Sequence, residues 1–120
     1  NIKILMLTGG ESFGKQLGSL AHQAHIVVGT PGRVLKHLNK GSLNLDDLEV
    51  LVLDEADRML DMGFIEEVES VLSFAPQTKQ TLLFSATYEE EILHISQKIQ
   101  NNPVKVEVTP TQTLSNIEEV

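Results

Sequence analysis

Cysteine is absent from the sequence, which excludes a disulfide framework and thiolate metal sites and leaves a reducing cytoplasm as the expected setting. Long hydrophobic runs are absent too. The longest, such as Ile2 to Leu7 and Val50 to Leu53, have strand length and fall far short of the roughly 20 residues a membrane helix needs, so no membrane span is expected. Positive charge is scarce: 9 Lys and Arg against 17 Asp and Glu give a formal net charge of -8. Binding of nucleic acid by bulk charge is thereby excluded, because phosphate neutralisation normally draws on a Lys/Arg surplus; any such contact must be local or shared with another part. An initiator methionine and a basic or apolar leader are also lacking, and Asn1 opens almost directly into a strand-like run. An internal fragment is expected to begin this way.

What is present fits one domain. The 120 residues, 41% of them hydrophobic, suffice for one modest core and not for two. Short β-rich apolar runs alternate with segments of helical period, which predicts βα units and a parallel sheet. Strands are expected at Ile2 to Leu7, His25 to Gly29, Val50 to Leu53, Thr81 to Ser85 and Val104 to Val108. Most are apolar at consecutive positions, the pattern of strands buried on both faces. Four helices are expected from four stripes: Phe13, Leu17, Leu20 and Ala21; Val34, Leu35 and Leu38; Phe64, Ile65, Val68, Val71 and Leu72; and Ile92, Ile95, Ser96 and Ile99. Such stripes read as ordinary core. Thr109 to Ser115 is polar, carries Pro110 and has no period, so 109–120 is predicted to be a linker after a domain spanning 1–108.

The sharpest chemical signal is Leu51-Val52-Leu53-Asp54-Glu55-Ala56-Asp57, a strand that delivers carboxylates at its C-terminal end, the edge where parallel sheets bind ligands. Asp54 could hold a hard cation such as Mg2+ through water, and Glu55 could orient an attacking water. A solvated acidic turn after a strand reads equally well from spacing alone. Ser85-Ala86-Thr87 ends the next strand, and its hydroxyls could bond the acidic strand end; by itself the tripeptide is an ordinary strand-end turn. Thr30-Pro31-Gly32-Arg33 also closes a strand and opens a helix, gathering a hydroxyl, free amides and a guanidinium where an anion such as a phosphodiester could sit, or else forming a plain helix start.

Gly9-Gly10-Glu11-Ser12-Phe13-Gly14-Lys15 has the glycine and lysine spacing of a phosphate-binding P-loop, but Gln16 follows where Ser or Thr should. Glu11 would also point a negative charge into the cradle and Phe13 would crowd it. The expected role is instead a bare Gly9-Gly10 backbone that lets a polymer pass close by, followed by a helix with Phe13 and Leu17 in the core. His22 and His25 lack further ligands at metal spacing, so a zinc site is not expected.

Taken in order, Gly9-Gly10, Thr30-Pro31-Gly32-Arg33, Asp54-Glu55-Ala56-Asp57, Arg58-Met59-Leu60-Asp61-Met62-Gly63-Phe64 and Ser85-Ala86-Thr87 are similar to the motifs of the DEAD-box ATP-dependent RNA helicases. The resemblance runs from Ile2 to about Val108. Within that family the Gly9 to Gly14 segment, Phe74-Ala75-Pro76 and Gln80 to Thr87 look most like the bacterial DbpA type. The resemblance implies an α/β fold, a parallel sheet with flanking helices forming the C-terminal half of a RecA-like (P-loop NTPase) domain. It implies ATP and Mg2+ as cofactors, Asp54 holding Mg2+ through water, and Glu55 activating the hydrolytic water. Asp57, Ser85 and Thr87 would couple nucleotide state to RNA release. Gly9, Gly10, Thr30, Pro31, Gly32 and Arg33 would line the RNA backbone path, with Gly63 beside it.

The family's phosphate-binding Gly-Lys-Thr loop, adenine-reading glutamine segment, upstream Arg-bearing RNA motif and second RecA-like domain have no counterpart in these residues. Little or no ATPase activity is therefore expected from them alone, together with an unpaired apolar sheet edge beside the Asp54 strand that invites dimerisation. Ribosomal RNA and ribosome assembly are the expected setting of the parent protein. The alternative kept open is a catalytically inactive RNA- or protein-binding module of the same fold.

Overall fold

The computed structural model describes residues 2–22, 24–100 and 103–106. Its elements follow in the order β1 (Ile4–Leu7), α1 (Phe13–Leu20), β2 (Ile26–Gly29), α2 (Pro31–Lys40), β3 (Val50–Leu53), α3 (Ala56–Asp61), α4 (Ile65–Ser73), β4 (Gln80–Leu83) and α5 (Glu90–Ile99). Each strand returns to its neighbour through helix, and so both pairs are parallel: Ile4 lies opposite Ile26 and Leu7 opposite Gly29, Val50 opposite Gln80 and Leu53 opposite Leu83.

The helix limits follow from local chemistry. Pro31 occupies the first turn of α2, and Gly41 ends it in the left-handed region at φ 78°, donating to the Leu38 carbonyl while Ser42 donates to His37. Gly63, also at φ 78°, ends α3 in the same way, its amide on Leu60 O and that of Phe64 on Met59 O. These paired bonds satisfy carbonyls that a helix end otherwise leaves orphaned.

The core joins the two halves. Leu7, Leu38, Leu43 and Val71 are buried together, with Leu5, Leu20, Val27, Val34, Leu35 and Leu45 packed against them. Val71 of α4 thus docks the second half onto α2 and the first strand pair. Each such side chain, fully buried, contributes about 1.5–3 kcal/mol.

Five expectations need correction. Among the described residues the strands form two separate two-stranded sheets rather than one. Nor are the strands buried on both faces: Ile4, Met6, Ile26, Val28, Val50 and Val52 are all exposed, so consecutive apolarity here marks a second apolar face that no described element covers. Leu17 is exposed and Gln16 takes the inward position on α1. A fifth helix, α3, grows directly out of the acidic motif. Of the fifth strand, residues 103–106 carry no strand; its remainder and the predicted linker lie outside the described residues. No helix of the described residues is long and apolar enough to cross a membrane.

Gly29 is where the first strand pair closes most tightly. A Cβ there would lie 2.6 Å from Val34 Cγ2 and 2.7 Å from the Leu7 carbonyl oxygen. The Gly29→Ala substitution should therefore cost about 1–3 kcal/mol of stability, read as a lower urea midpoint, whereas Gly10→Ala, with nothing within 4 Å, should meet no such clash.

Candidate functional site

Both strand pairs carry their polar motifs at the C-terminal edge. At the end of β3 the backbone turns abruptly: Glu55 sits at φ 56°, ψ 50°, the left-handed region that a non-glycine residue occupies only at a cost of order 1–3 kcal/mol. Asp54 braces the turn, its Oδ1 accepting the Glu55 amide at 2.9 Å. The buried Ala56 then donates its amide to the Phe84 carbonyl at 3.0 Å, which ties the turn to the end of β4. Ser85 Oγ accepts the Asp57 amide at 3.2 Å, so the acidic segment and the Ser85 segment are bonded to one another directly. Asp57 Oδ1 in turn accepts the Arg58 amide. Asp54 and Glu55 are exposed at this edge with carboxylate oxygens left over, as is Thr87. A carboxylate with free oxygens in water suits Mg2+, which keeps most of its hydration and binds proteins through one or two carboxylates.

At the other edge, Gly9 and Gly10 form an exposed turn after β1, and the Thr30 amide donates to the Leu7 carbonyl at 3.1 Å. Thr30 caps α2 with its backbone only, leaving its hydroxyl out of the cap. The first amides of α2, at Gly32 and Arg33, therefore have no side-chain cap, the condition in which a helix start receives anions. Arg33 reaches back across the turn. Its Nη1 donates to the Glu11 carbonyl at 3.0 Å and to Gln16 Oε1 at 3.1 Å, and its Nη2 to the Gly9 carbonyl at 3.3 Å. The loop thus turns carbonyl oxygens toward a cation, whereas a P-loop turns amides toward a phosphate.

Three residues organise this edge: His37 and Ser42, which were not singled out from the sequence, and Gln16, which was noted there only as a departure from the P-loop pattern. Gln16 is 3% exposed and His37 is 0% exposed. Gln16 Nε2 donates to the Thr8 carbonyl at 3.0 Å, so its Oε1 is the acceptor for both Arg33 and His37 Nε2, the latter at 2.8 Å. The His37 proton accordingly sits on Nε2, and Nδ1 faces the Ser42 hydroxyl at 2.8 Å. Phe13 stacks on the His37 ring with centroids 4.1 Å apart. Lys36 Nζ and the Arg33 guanidinium lie over the Phe13 ring at 4.6 and 5.6 Å, a favourable use of the ring quadrupole that gathers two cations on an otherwise acidic chain. The only sequence signal was the polar Gln16 on an apolar helical face, visible as the residue that spoiled the P-loop pattern.

Gly63 terminates α3, and no described hydrogen bond links it to the Gly9 or Arg33 group. His25 Nδ1 accepts the Lys3 amide at 3.0 Å, a structural role at the start of the first strand pair. A cavity of about 580 Å³ lined by residues including Glu69, Leu72, Lys79 and Lys98 opens near the N-terminal end of β4, away from the edge that carries Asp54.

Comparison with known proteins gives consistent matches. The sequence model described as DEAD/DEAH box helicase matches residues 1–95. The chain is 54% identical over 119 residues to the ATP-dependent RNA helicase DbpA of Escherichia coli, covering 99% of this chain and 26% of that protein. It is 43% identical to the DEAD-box ATP-dependent RNA helicase CshA of Geobacillus kaustophilus, covering 98% of this chain and 26% of that protein. The crystal structure of a DEAD box protein from Methanococcus jannaschii superposes with a TM-score of 0.89 at 42% identity, over 95% of this chain and 31% of that one. The chain spans about a quarter of the length of the curated relatives it matches.

Two measurements test this geometry. Glu55→Gly should add up to about 1 kcal/mol of stability, read as a higher urea midpoint, because glycine adopts the left-handed region freely; a lower midpoint would show that no strain is stored there. Burial, then the charges of Arg33 and Lys36, hold His37 below its ordinary value of 6.5, while the groups packed on it from other elements, Gln16, Phe13 and Ser42, are neutral. The unfolded chain therefore takes up the proton first as pH falls. The stability that the neutral ring contributes is complete above 6.5 and is lost as pH drops below it toward the lowered folded value. Denaturant midpoints measured from about pH 8 down to about pH 5 should show this slope, and His37→Gln should remove its share of it.

Proposed function

The chain belongs to the DEAD/DEAH box helicase family, and on that premise we propose that the protein carrying it hydrolyses ATP to separate RNA strands. The observation that carries this reading is the β3 turn. A strained left-handed Glu55 that projects a free carboxylate beside Asp54, with Asp57 bonded to Ser85, is costly for a structural turn and useful for phosphoryl transfer. The same strain weighs against a catalytically inactive module of this fold.

In this reading Asp54 holds the Mg2+ of the nucleotide through water, and the ion neutralises phosphate charge when bound. The Glu55 carboxylate accepts a hydrogen bond from the water that attacks the terminal phosphorus and takes up its proton. Any shift of the acidic segment on nucleotide binding pulls on the Asp57 amide and therefore on Ser85, which gives the Ser85-Ala86-Thr87 strand end a mechanical route to the RNA face. Gly9, Gly10, Thr30, Pro31, Gly32 and Arg33 take the phosphodiester backbone, with Gly63 at its border. Contacts to backbone rather than bases leave base sequence unread, and the 2'-hydroxyl separates RNA from DNA. The reading extends to a second RecA-like domain that completes the nucleotide site, to a cytoplasmic location, and to ribosomal RNA in ribosome assembly, the last supported by the similarity to the DbpA protein.

In the full-length protein Glu55→Gln should lower RNA-stimulated ATP turnover by at least about 100-fold, within the range a general base contributes, with ATP and RNA affinities little changed. Stimulation by RNA should exceed that by DNA of the same sequence. Unchanged turnover in the variant would remove Glu55 from its assigned role.

A further inference from the structure

Arginine bears five N–H donors in a planar fork and is always charged. At Arg33 three of these bonds are used, to Glu11 O, Gln16 Oε1 and Gly9 O, and every acceptor is neutral. The chain holds 17 acidic residues, yet none of those among the described residues pairs with this guanidinium; the ion pair found there is Lys98 with Glu69. Glu11 itself offers Arg33 its backbone carbonyl rather than its carboxylate. A half-buried cation held this way keeps both its charge and two unused donors.

We propose that Gln16 is a positioning residue for RNA: its neutral amide pins the Arg33 guanidinium between the Gly9-Gly10 turn and the start of α2 without cancelling the charge that a phosphate would meet. The inference rests on the RNA reading of Arg33 given above. Gln16 suits the task because one end of its amide must donate and the other accept. Nε2 is fixed on Thr8 O, immediately before the glycine turn, and Oε1 is fixed by His37 Nε2 from within the core. The Arg33 position is thus set through α1 by the residue after β1 and by α2 together, and the ordering cost of a long cationic side chain is met before RNA arrives. A carboxylate in place of this amide would pair with Arg33 and cancel its charge, and it would have no donor for the Thr8 carbonyl. An apolar side chain would leave the charge and release the hold.

The test measures binding of a labelled single-stranded oligouridylate to the full-length protein with a non-hydrolysable ATP analogue, from about 50 to about 200 mM salt. Four variants are compared with the parent: Arg33→Met, Gln16→Met, Gln16→Glu, and Gln16→Met combined with Arg33→Met. Arg33→Met should weaken binding about tenfold and reduce the salt slope by about 0.7, the share of one phosphate contact on a single strand. Gln16→Met should weaken binding several-fold in the parent and have no further effect once Arg33 is replaced. Gln16→Glu, the closest in shape, should reduce the salt slope as Arg33→Met does, and it decides the matter if Gln16→Met fails to fold. If the Gln16 variants lower the melting temperature but weaken binding equally in both Arg33 backgrounds, with the salt slope unchanged, Gln16 is merely structural and the inference falls alone. If Arg33→Met itself leaves RNA binding intact, the RNA reading of this edge falls and takes the inference with it.

Discussion

The Leu7 carbonyl accepts the Thr30 amide at 3.1 Å and the Leu53 carbonyl accepts the Phe84 amide at 2.8 Å. These are the last rungs of the two parallel ladders, and each brings the ends of two strands, distant in sequence, to a single edge. Parallel pairing makes this unavoidable: both strands run the same way, so both loops that leave them emerge side by side. The Gly9-Gly10 turn thereby meets the Thr30 to Arg33 helix start, and the Asp54 to Asp57 segment meets Ser85. The polar contacts of the candidate site gather at the strand ends those two bonds bring together.

The two edges solve different problems with the same architecture. At the β3 edge the backbone itself is forced, Glu55 being held in a left-handed conformation by Asp54 on one side and by the Ala56 to Phe84 bond on the other. Strain of that kind persists only where surrounding bonds over-determine it. At the β1 edge the backbone is relaxed and the forcing is done by side chains. A core glutamine and histidine, each almost fully hidden from water, hold a surface arginine in register. Carboxylates dominate the first edge and cations the second, which is how an acidic chain can present a local positive face without a basic overall balance.

Much of this was legible in the sequence. Val50 to Leu53 was placed to the residue, since an apolar run between acidic turns has few other readings, and the start of α2 was marked by Pro31. Alternation of strand and helix was enough for the α/β class. What failed did so for identifiable reasons. Periodicity counts apolar residues, so it assigned Leu17 to the core and passed over Gln16, whose burial depends on three partners that lie 8 to 21 residues away along the chain. Continuous apolarity in a strand reports two apolar faces but not whether something covers both. The α3 helix was missed because its start, Glu55, has a conformation that no propensity favours. The motif residues themselves were recognised as a set, through family resemblance, and not from the physics of any single one.

The uncovered sheet face has a calorimetric consequence. Ile4, Met6, Ile26, Val28, Val50 and Val52 already meet water in the folded chain, so unfolding exposes less new apolar surface than the length implies. The heat-capacity step, which for well-covered domains is about 12–15 cal/mol/K per residue, should be smaller here, and the denaturant slope shallower with it. A stability curve of this shape is flat, varying little with temperature on either side of its maximum. Any element that settles on that face would steepen the curve as well as raise it, and its docking could be followed by heat capacity alone.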